Sequence, residues 1–421
     1  MYSTPAGAGD RRDLADEGGP AVYCVAVRAD RVTPGSQTSL REANRARIVS
    51  AVQQRGSLTQ IELAGVTGLS PATISNIVKE LSAAGVLATA QSVRNGRRAL
   101  QVTLARNLGL VAGVRFGFRS MSVALADASM RVLAEQRMPL ASDHRADAGV
   151  RRTALLVTEM IESVGASPDE LLAVGVGVPV PVDPSSGEVV TLGMMRGWDG
   201  VDVAALFQAE LGVPVTVDNE ATLAAIAEYR YGAGQGADSV AYVRVSHGVG
   251  AGLVIGGHAV RGRAGVAGEI GHVSVDENGP VCRCGNRGCL EMLVGASSLL
   301  GMLPAGAGHL TLADLVARAT NGDPGCRRVV YDAGRHLGVA LANLCNIVDP
   351  AVVVVGGQLV EVGDLLLDPL RTTLGQRVVA TSRGPVDVVP SELGGSAGVR
   401  GALAVALDSA RSAGALGVVG S

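Results

Sequence analysis

Apolar residues at Ile48, Val49 and Val52, set among Arg41, Arg45 and Arg47, give the stretch from Arg41 to Gln54 the spacing of an amphipathic helix. Leu58–Val66, with Ile61 and Leu63 as its apolar members, predicts a second, short helix. Gly68-Leu69-Ser70 reads as a turn, with Ser70 a good N-cap and Pro71 well placed as the first helical residue. A third helix, from Pro71 to Ala84, puts Ile74, Ile77, Val78 and Leu81 on one face at i, i+3, i+4 and i+7. Its other face shows Ala72, Thr73, Ser75, Asn76 and Lys79, small or polar side chains that can approach base edges in a groove. Val86–Ala90 and Leu100–Leu104 read as two strands around a basic tip, Arg94-Asn95-Gly96-Arg97-Arg98. Helix, short helix, turn, helix and basic hairpin together make a winged helix-turn-helix over residues 39–105.

From about Leu108 the pattern changes to short β-rich runs at Leu110–Val114, Met121–Ala126 and Val132–Arg137. A helical segment, Arg151–Val164, and a buried strand, Ala173–Val178, follow and end at Pro179. A strand at Val213–Val217 leads into a helix at Ala221–Tyr231. The theme then repeats, with strands at Ser239–Val245 and Gly252–Ile255, helices at Leu312–Ala319 and Gly325–Asn346, and a last strand at Ala351–Val355. Two α/β lobes with a cleft between them are the natural arrangement, at about 108–235 and 236–408.

Charge sharpens the first segment. Residues 40–105 hold eight bases and three acids, a net +5 inside a chain of net −3. A basic module on an acidic chain fits phosphate binding, so double-stranded DNA is the expected partner of Ala72, Thr73, Ser75, Asn76, Lys79, Arg94, Arg97 and Arg98. The 421 residues are 47% apolar but only 2% aromatic, so the core must be built from Val, Leu, Ile and Ala. No apolar run approaches the roughly 18 residues a membrane helix needs. A cytoplasmic protein with reduced cysteines is expected. Residues 1–38, rich in Gly, Ala, Ser and Pro, read as a poorly ordered extension in which Cys24 is incidental, and 409–421 as a flexible tail. Cys326 and Cys345 fall in a helical stretch and read as small apolar residues.

Gly268 to Glu291 reads GEIGHVSVDENGPVCRCGNRGCLE. Cys282, Cys284 and Cys289, with His272 ahead of them, form a complete tetrahedral set for a structural Zn2+, the alternative being buried free thiols or a bridge. Gly285 and Gly288 sit between the ligands, where a knuckle folds tightly and favours positive φ.

Taken together, these residues resemble the ROK family of repressors and sugar kinases, over about residue 40 to about 405. The most specific piece is Gly268-Glu269-Ile270-Gly271-His272, followed by the cysteine cluster and Glu291. The winged helix looks like that of the family's transcriptional repressors. The resemblance implies a two-lobed, actin-like and ribonuclease-H-like α/β fold carrying the zinc knuckle. It also implies a carbohydrate effector held by Asn219, Glu220, Glu269, His272 and Glu291, and a homodimer or homotetramer. Gly177 to Asp183 resembles the family's G-x-P-G-P-V-D loop, with Val180 replacing the second glycine. Trp198 stands where members often carry a tryptophan near the sugar, though packing within a lobe serves as well.

Three departures argue against phosphoryl transfer. Where family kinases use D-x-G-x-T to reach ATP phosphate and metal, this chain reads Arg115-Phe116-Gly117-Phe118-Arg119. The Asp of the Asn-Asp pair, the kinase base, is Glu220, one methylene longer. The T-G-x-G phosphate loop reads His247-Gly248-Val249-Gly250. Arg115 and Arg119 read either as ligands for a phosphorylated sugar or nucleotide, or as solvated strand-end residues. The expected function is a DNA-binding regulator, most simply a repressor, that senses a sugar without being a kinase.

Overall fold

The computed structural model describes residues 37–55, 57–94, 97–105, 108–141, 144–191, 193–303, 310–380, 384 and 386–415. Cys24 and most of the expected extension lie outside the described residues, as does the end of the expected tail. Contacts divide the chain into Met1–Ala43 and Asn44–Ser421.

The first helix, α1, runs Gln37–Arg55, and a two-residue strand, β1, follows at Leu58–Thr59. Helix α2 spans Gln60–Thr67 and α3 spans Pro71–Ala83. Leu58 and Thr59, expected inside the second helix, are extended instead. The Thr59 hydroxyl accepts the Glu62 backbone N–H, and the Glu62 carboxylate accepts the Thr59 N–H at 2.8 Å. That reciprocal cap fixes the helix start at Gln60 and leaves Leu58 to pair with Val102. The wing is an antiparallel hairpin, β2 at Leu87–Arg94 and β3 at Arg97–Leu104, in register out to Arg94 opposite Arg97. Residues 95–96, and the side chains at 92–98, lie outside the description. Buried Ile48, Val52, Leu63, Ile74, Val78 and Val102 form the core of this unit.

Two sheets of the same topology follow. The first has order β6-β5-β4-β7-β8, from β4 (Leu110–Phe116), β5 (Ser120–Asp127), β6 (Val132–Pro139), β7 (Leu171–Val178) and β8 (Val215–Asn219). Helices α4 (Ala146–Ser163) and α5 (Val203–Leu211) lie with its apolar cluster. Helix α6 (Glu220–Tyr231) starts where β8 ends. The second sheet has order β11-β10-β9-β12-β13, from β9 (Ser239–Val245), β10 (Val249–Ile255), β11 (His258–Val260), β12 (Val352–Gly356) and β13 (Asp387–Pro390). Between β11 and β13 come the short α7 (Glu291–Val294) and α8 (Ala296–Gly301), then α9 (Leu312–Thr320), α10 (Pro324–Val348) and α11 (Asp364–Gly375). In both sheets three antiparallel strands are extended by two parallel ones. Cys326 and Cys345 are buried in α10 as apolar residues.

The last helix, α12 (Ala397–Ser412), begins in the stretch expected to complete the second lobe, continues as helix through residues 409–412 of the expected tail, and packs against β4, β7 and α6 of the first lobe. Glycine makes this possible. A Cβ at Gly175 of β7 would overlap the Ala402 carbonyl, and one at Gly401 of α12 would overlap the Leu223 carbonyl of α6. Helices α6 and α12 thereby lie side by side, and α6 also packs on β9 and β10 of the other sheet. Asn219 and Glu220, at the β8–α6 junction, are set at the boundary of the two lobes.

Candidate functional site

The N-terminal turn of α3 is fixed by Ser70, whose hydroxyl accepts the Thr73 N–H at 3.2 Å. Ile74, Ile77, Val78 and Leu81 point into the core, as their spacing requires. Ala72, Asn76 and Lys79 are exposed or half-exposed, and Thr73 and Ser75 half-buried, so all five expected base-facing residues avoid the core. Arg45 on α1 pairs with Glu80 on α3, and Arg47 reaches the Thr67 carbonyl at 3.4 Å. Two of the counted bases therefore brace the helices. Of Arg94, Arg97 and Arg98, the backbone lies at the free end of the wing and the side chains lie outside the description.

His272, Cys282, Cys284 and Cys289 converge, with ligand atoms all within 4.8 Å of one another. Cys284 Sγ lies 3.7 Å from Cys289 Sγ, and Cys282 Sγ lies 3.5 Å from His272 Nδ1. A tetrahedron with zinc–sulfur bonds of about 2.3 Å has edges of about 3.8 Å, close to these two separations, so the set could hold such an ion. Burial pushes the Cys282 thiol up and the Cys289 thiol up to about 12. A bound cation would favour the thiolate form of Cys282 and Cys289 against that burial. Gly285 and Gly288 take positive φ, 91° and 63°, as a knuckle requires. The other ring nitrogen, His272 Nε2, faces Glu269 at 3.8 Å. The Glu269 carboxylate, the imidazole and the thiol cluster thus lie next to one another.

Asn219, Glu220, Glu269, His272 and Glu291 surround one cavity of about 40 Å³, with Phe118, Arg244 and Arg283. That is room for about three waters. Glu291 accepts the Val249 N–H at 3.1 Å, and Arg283, which sits between Cys282 and Cys284 in sequence, grips both its oxygens at 2.9 and 3.2 Å. The Arg283 guanidinium also lies over the Phe118 ring, 4.6 Å from its centre, and so bridges the lobes. Burial and the neighbouring Glu291 push Glu269 up to about 7, so near neutral pH it donates as well as accepts. Asn219 Oδ1 caps α6 by accepting the Ala221 N–H at 2.8 Å, which leaves its amide N–H groups for a ligand. Glu220 is buried, with one oxygen 3.1 Å from Arg115 and the other 2.7 Å from Arg244. Asp218 meets Arg261 of the other lobe at 2.8 Å.

The sequence profile of the ROK family matches residues 111–409, and that of a winged helix-turn-helix DNA-binding domain matches 41–88. The chain belongs to the ROK family. The xylose repressor of Bacillus subtilis (strain 168) is 28% identical to this ROK protein over 377 residues, covering 88% of this chain and 97% of the repressor. The DNA-binding transcriptional dual regulator NagC of Escherichia coli (strain K12) is 30% identical over 384 residues, covering 86% and 93%. Among solved structures, a ROK family glucokinase of Streptomyces griseus, in complex with glucose and AMPPNP, matches with a TM-score of 0.64 and 29% identity. It covers 71% of this chain and all of its own. A ROK family transcriptional regulator described as a homolog of E. coli MLC shares the fold over 90% of this chain and 98% of its own, with a TM-score of 0.70 and 23% identity.

The structure decides between the two readings that the sequence left open for Trp198, and it places Arg115 of this ROK protein in a buried ion pair. Trp198 is buried in the first-lobe core, its ring 4.8 Å from Phe116 and its N–H donated to the His144 carbonyl at 3.0 Å, and it does not line the cleft. Arg115 is not a solvated strand-end residue, since it lies buried against Glu220 and Ser122. Arg244, Arg261 and Arg283 were not singled out by sequence. Their partners are 24, 43 and 8 residues away, and no periodicity links such pairs. Among the described residues no helix is long and apolar enough to cross a membrane.

Proposed function

We propose that this ROK protein is a DNA-binding transcriptional regulator that senses a sugar and transfers no phosphate. The winged helix, residues 39–105, would read an operator through α3 and the wing, and residues 108–408 would form the effector domain. The observation that carries this reading is the outward-facing α3 surface on the same chain as the carboxylate-lined cleft. The repressor relatives, named for xylose and N-acetylglucosamine and matched over most of their length, support it.

Glu269, His272, Glu291, Asn219 and Glu220 would hold the sugar's hydroxyls, since carboxylates accept from adjacent hydroxyls and the imidazole stays fixed beside them. A structural zinc on His272, Cys282, Cys284 and Cys289 would keep that wall rigid. Glu220 supports the absence of catalysis. Two guanidinium groups hold its carboxylate, one on each oxygen, so the side chain is fixed in ion pairs rather than turned toward a substrate hydroxyl. Paired winged helices of a dimer or tetramer would read half-sites at a fixed separation, so movement of the lobes would alter operator affinity.

The test is a DNA-binding titration at stated salt, with and without a sugar panel, alongside a coupled ADP assay. A sugar that changes both operator affinity and melting temperature, with no ADP formed, supports the reading. Sugar-dependent ADP formation overturns the non-enzyme part, and DNA binding indifferent to every sugar overturns the sensor.

A further inference from the structure

Two apolar clusters share α12. The first joins the core of the winged helix to Val111, Ala124 and Ala173 of the first sheet, through Val399, Leu403 and Leu407 on one face of α12. The second joins Ala402 and Val405, on another face of α12, to α6 and to Val240, Val254 and Val354 of the second sheet. Among the described residues, Met130 alone of the half-buried apolar side chains packs against both clusters.

Met130 stands in the turn between β5 and β6, and its φ is 64°. Hairpin turns reserve that left-handed value for Gly, Asn or Asp. The turn holds its shape without the Met130 side chain. The buried Asp127 carboxylate accepts the Ser129 N–H at 2.9 Å and the Arg131 N–H at 3.1 Å, and the Asp127 carbonyl accepts the Met130 N–H at 2.9 Å. Glycine would close the same turn free of strain, so the turn gives no reason for a methionine. The two clusters do, since a strained residue persists where its surroundings over-determine it. The N-terminal end of α12 in turn lies against the cleft wall. A Cβ at Gly398 would overlap the Arg115 side chain, which pairs with Glu220 at 3.1 Å.

We propose that Met130 couples the DNA-reading module to the lobes, its side chain passing displacement of the second sheet into the winged-helix cluster. The proposal rests on the sensor reading and names the residue through which the sensor works. Met130 does not line the cleft, so its role is one of positioning. Coupling between distant sites is carried by contiguous packing, and an unbranched thioether follows an irregular gap as its walls shift. A movement of β9 and β12 against α6, as the cleft fills, changes the gap that Met130 spans.

The experiment compares the unaltered full chain with Met130→Gly and Met130→Leu. Operator titrations with and without a sugar panel are run beside calorimetry of the same sugars and thermal melting. In the unaltered protein an effector sugar should shift operator affinity about fivefold or more. Met130→Gly relaxes the turn and removes the side chain, so the shift should fall to within about twofold of none. Its sugar affinity and its sugar-free operator affinity should stay close to the unaltered values. Met130→Leu, apolar and of similar volume, should keep most of the shift. A Met130→Gly protein that responds as fully as the unaltered one overturns the proposal and leaves the sensor standing. Loss of sugar binding and operator binding together with a lower melting temperature marks a residue of the fold alone, and also overturns it. Loss of the response in Met130→Leu to the same extent as in Met130→Gly does so as well. An unaltered protein whose operator affinity ignores every sugar sinks the sensor reading, and the coupling with it.

Discussion

Glu291 ties three things together, because its carboxylate receives the β10 backbone, receives Arg283, and opens onto the cleft beside Glu269. Glu291→Gln keeps the shape but removes the charge that strengthens each of those hydrogen bonds. Sugar affinity should fall by about tenfold or more, with metal content unchanged. Calorimetry against metal analysis checks it, and undiminished affinity would remove Glu291 from the binding wall. Cys284→Ser separates structure from sensing. The variant should lose its metal and its sugar response together, read by metal stoichiometry and operator titration. Metal loss with the response intact would make the cluster structural only. At this scale the residue types were legible from the sequence, since ligand count and spacing pointed to His272, Cys282, Cys284 and Cys289 before any coordinates. Their neighbours were not. Arg283 was not singled out, because only folding brings its guanidinium onto Glu291 and Phe118.

Helix α3, whose faces differ in polarity, was readable, and α12, buried on several sides, was not. Helix α3 was placed almost to the residue because Ile74, Ile77, Val78 and Leu81 are buried while the intervening positions are open. Helix α12 went unnoticed for the opposite reason. Ala402 through Leu407 are all buried, so its sequence shows no polar stripe to mark a period. Gly113 and Gly175 on the strands are what let it approach β4 and β7, and its own Gly401 admits α6. For α3 the energetics follow from position. Ile77→Ala should cost about 2–5 kcal/mol of stability in chemical denaturation. Asn76→Ala, on the outward face, should leave melting nearly unchanged and weaken operator binding. In the wing, Arg97→Ala should reduce the salt slope of DNA binding by about one for each phosphate its guanidinium neutralises. An unchanged slope would take the wing out of the interface.

Across the whole molecule the lobes are joined by arginines, with Arg244 on Glu220, Arg261 on Asp218, and Arg283 over Phe118. Asp218 is the most dependent on its partner. Burial raises its proton affinity, and Arg261 acts against that rise. Arg261→Ala should therefore leave a buried carboxylate without its partner, lower the melting temperature, and widen the particle in small-angle scattering. A scattering profile identical to that of the unaltered protein would show that this pair does not hold the lobes. The two-lobed plan was legible because strands and helices recur in the same order in each half. The return of the last helix to the first lobe was not, since nothing local records which sheet a distant helix covers.

That return has a consequence in time. A ribosome releases the winged helix when Leu104 emerges, while the first sheet must wait for α12 to cover Gly113 and Gly175. At about 5–20 residues per second the interval is about 15–60 s. During it a growing chain carries the whole DNA-reading segment on an unfinished receptor, with the α12 part of the apolar cluster they share, Val399 to Ala410, still to arrive.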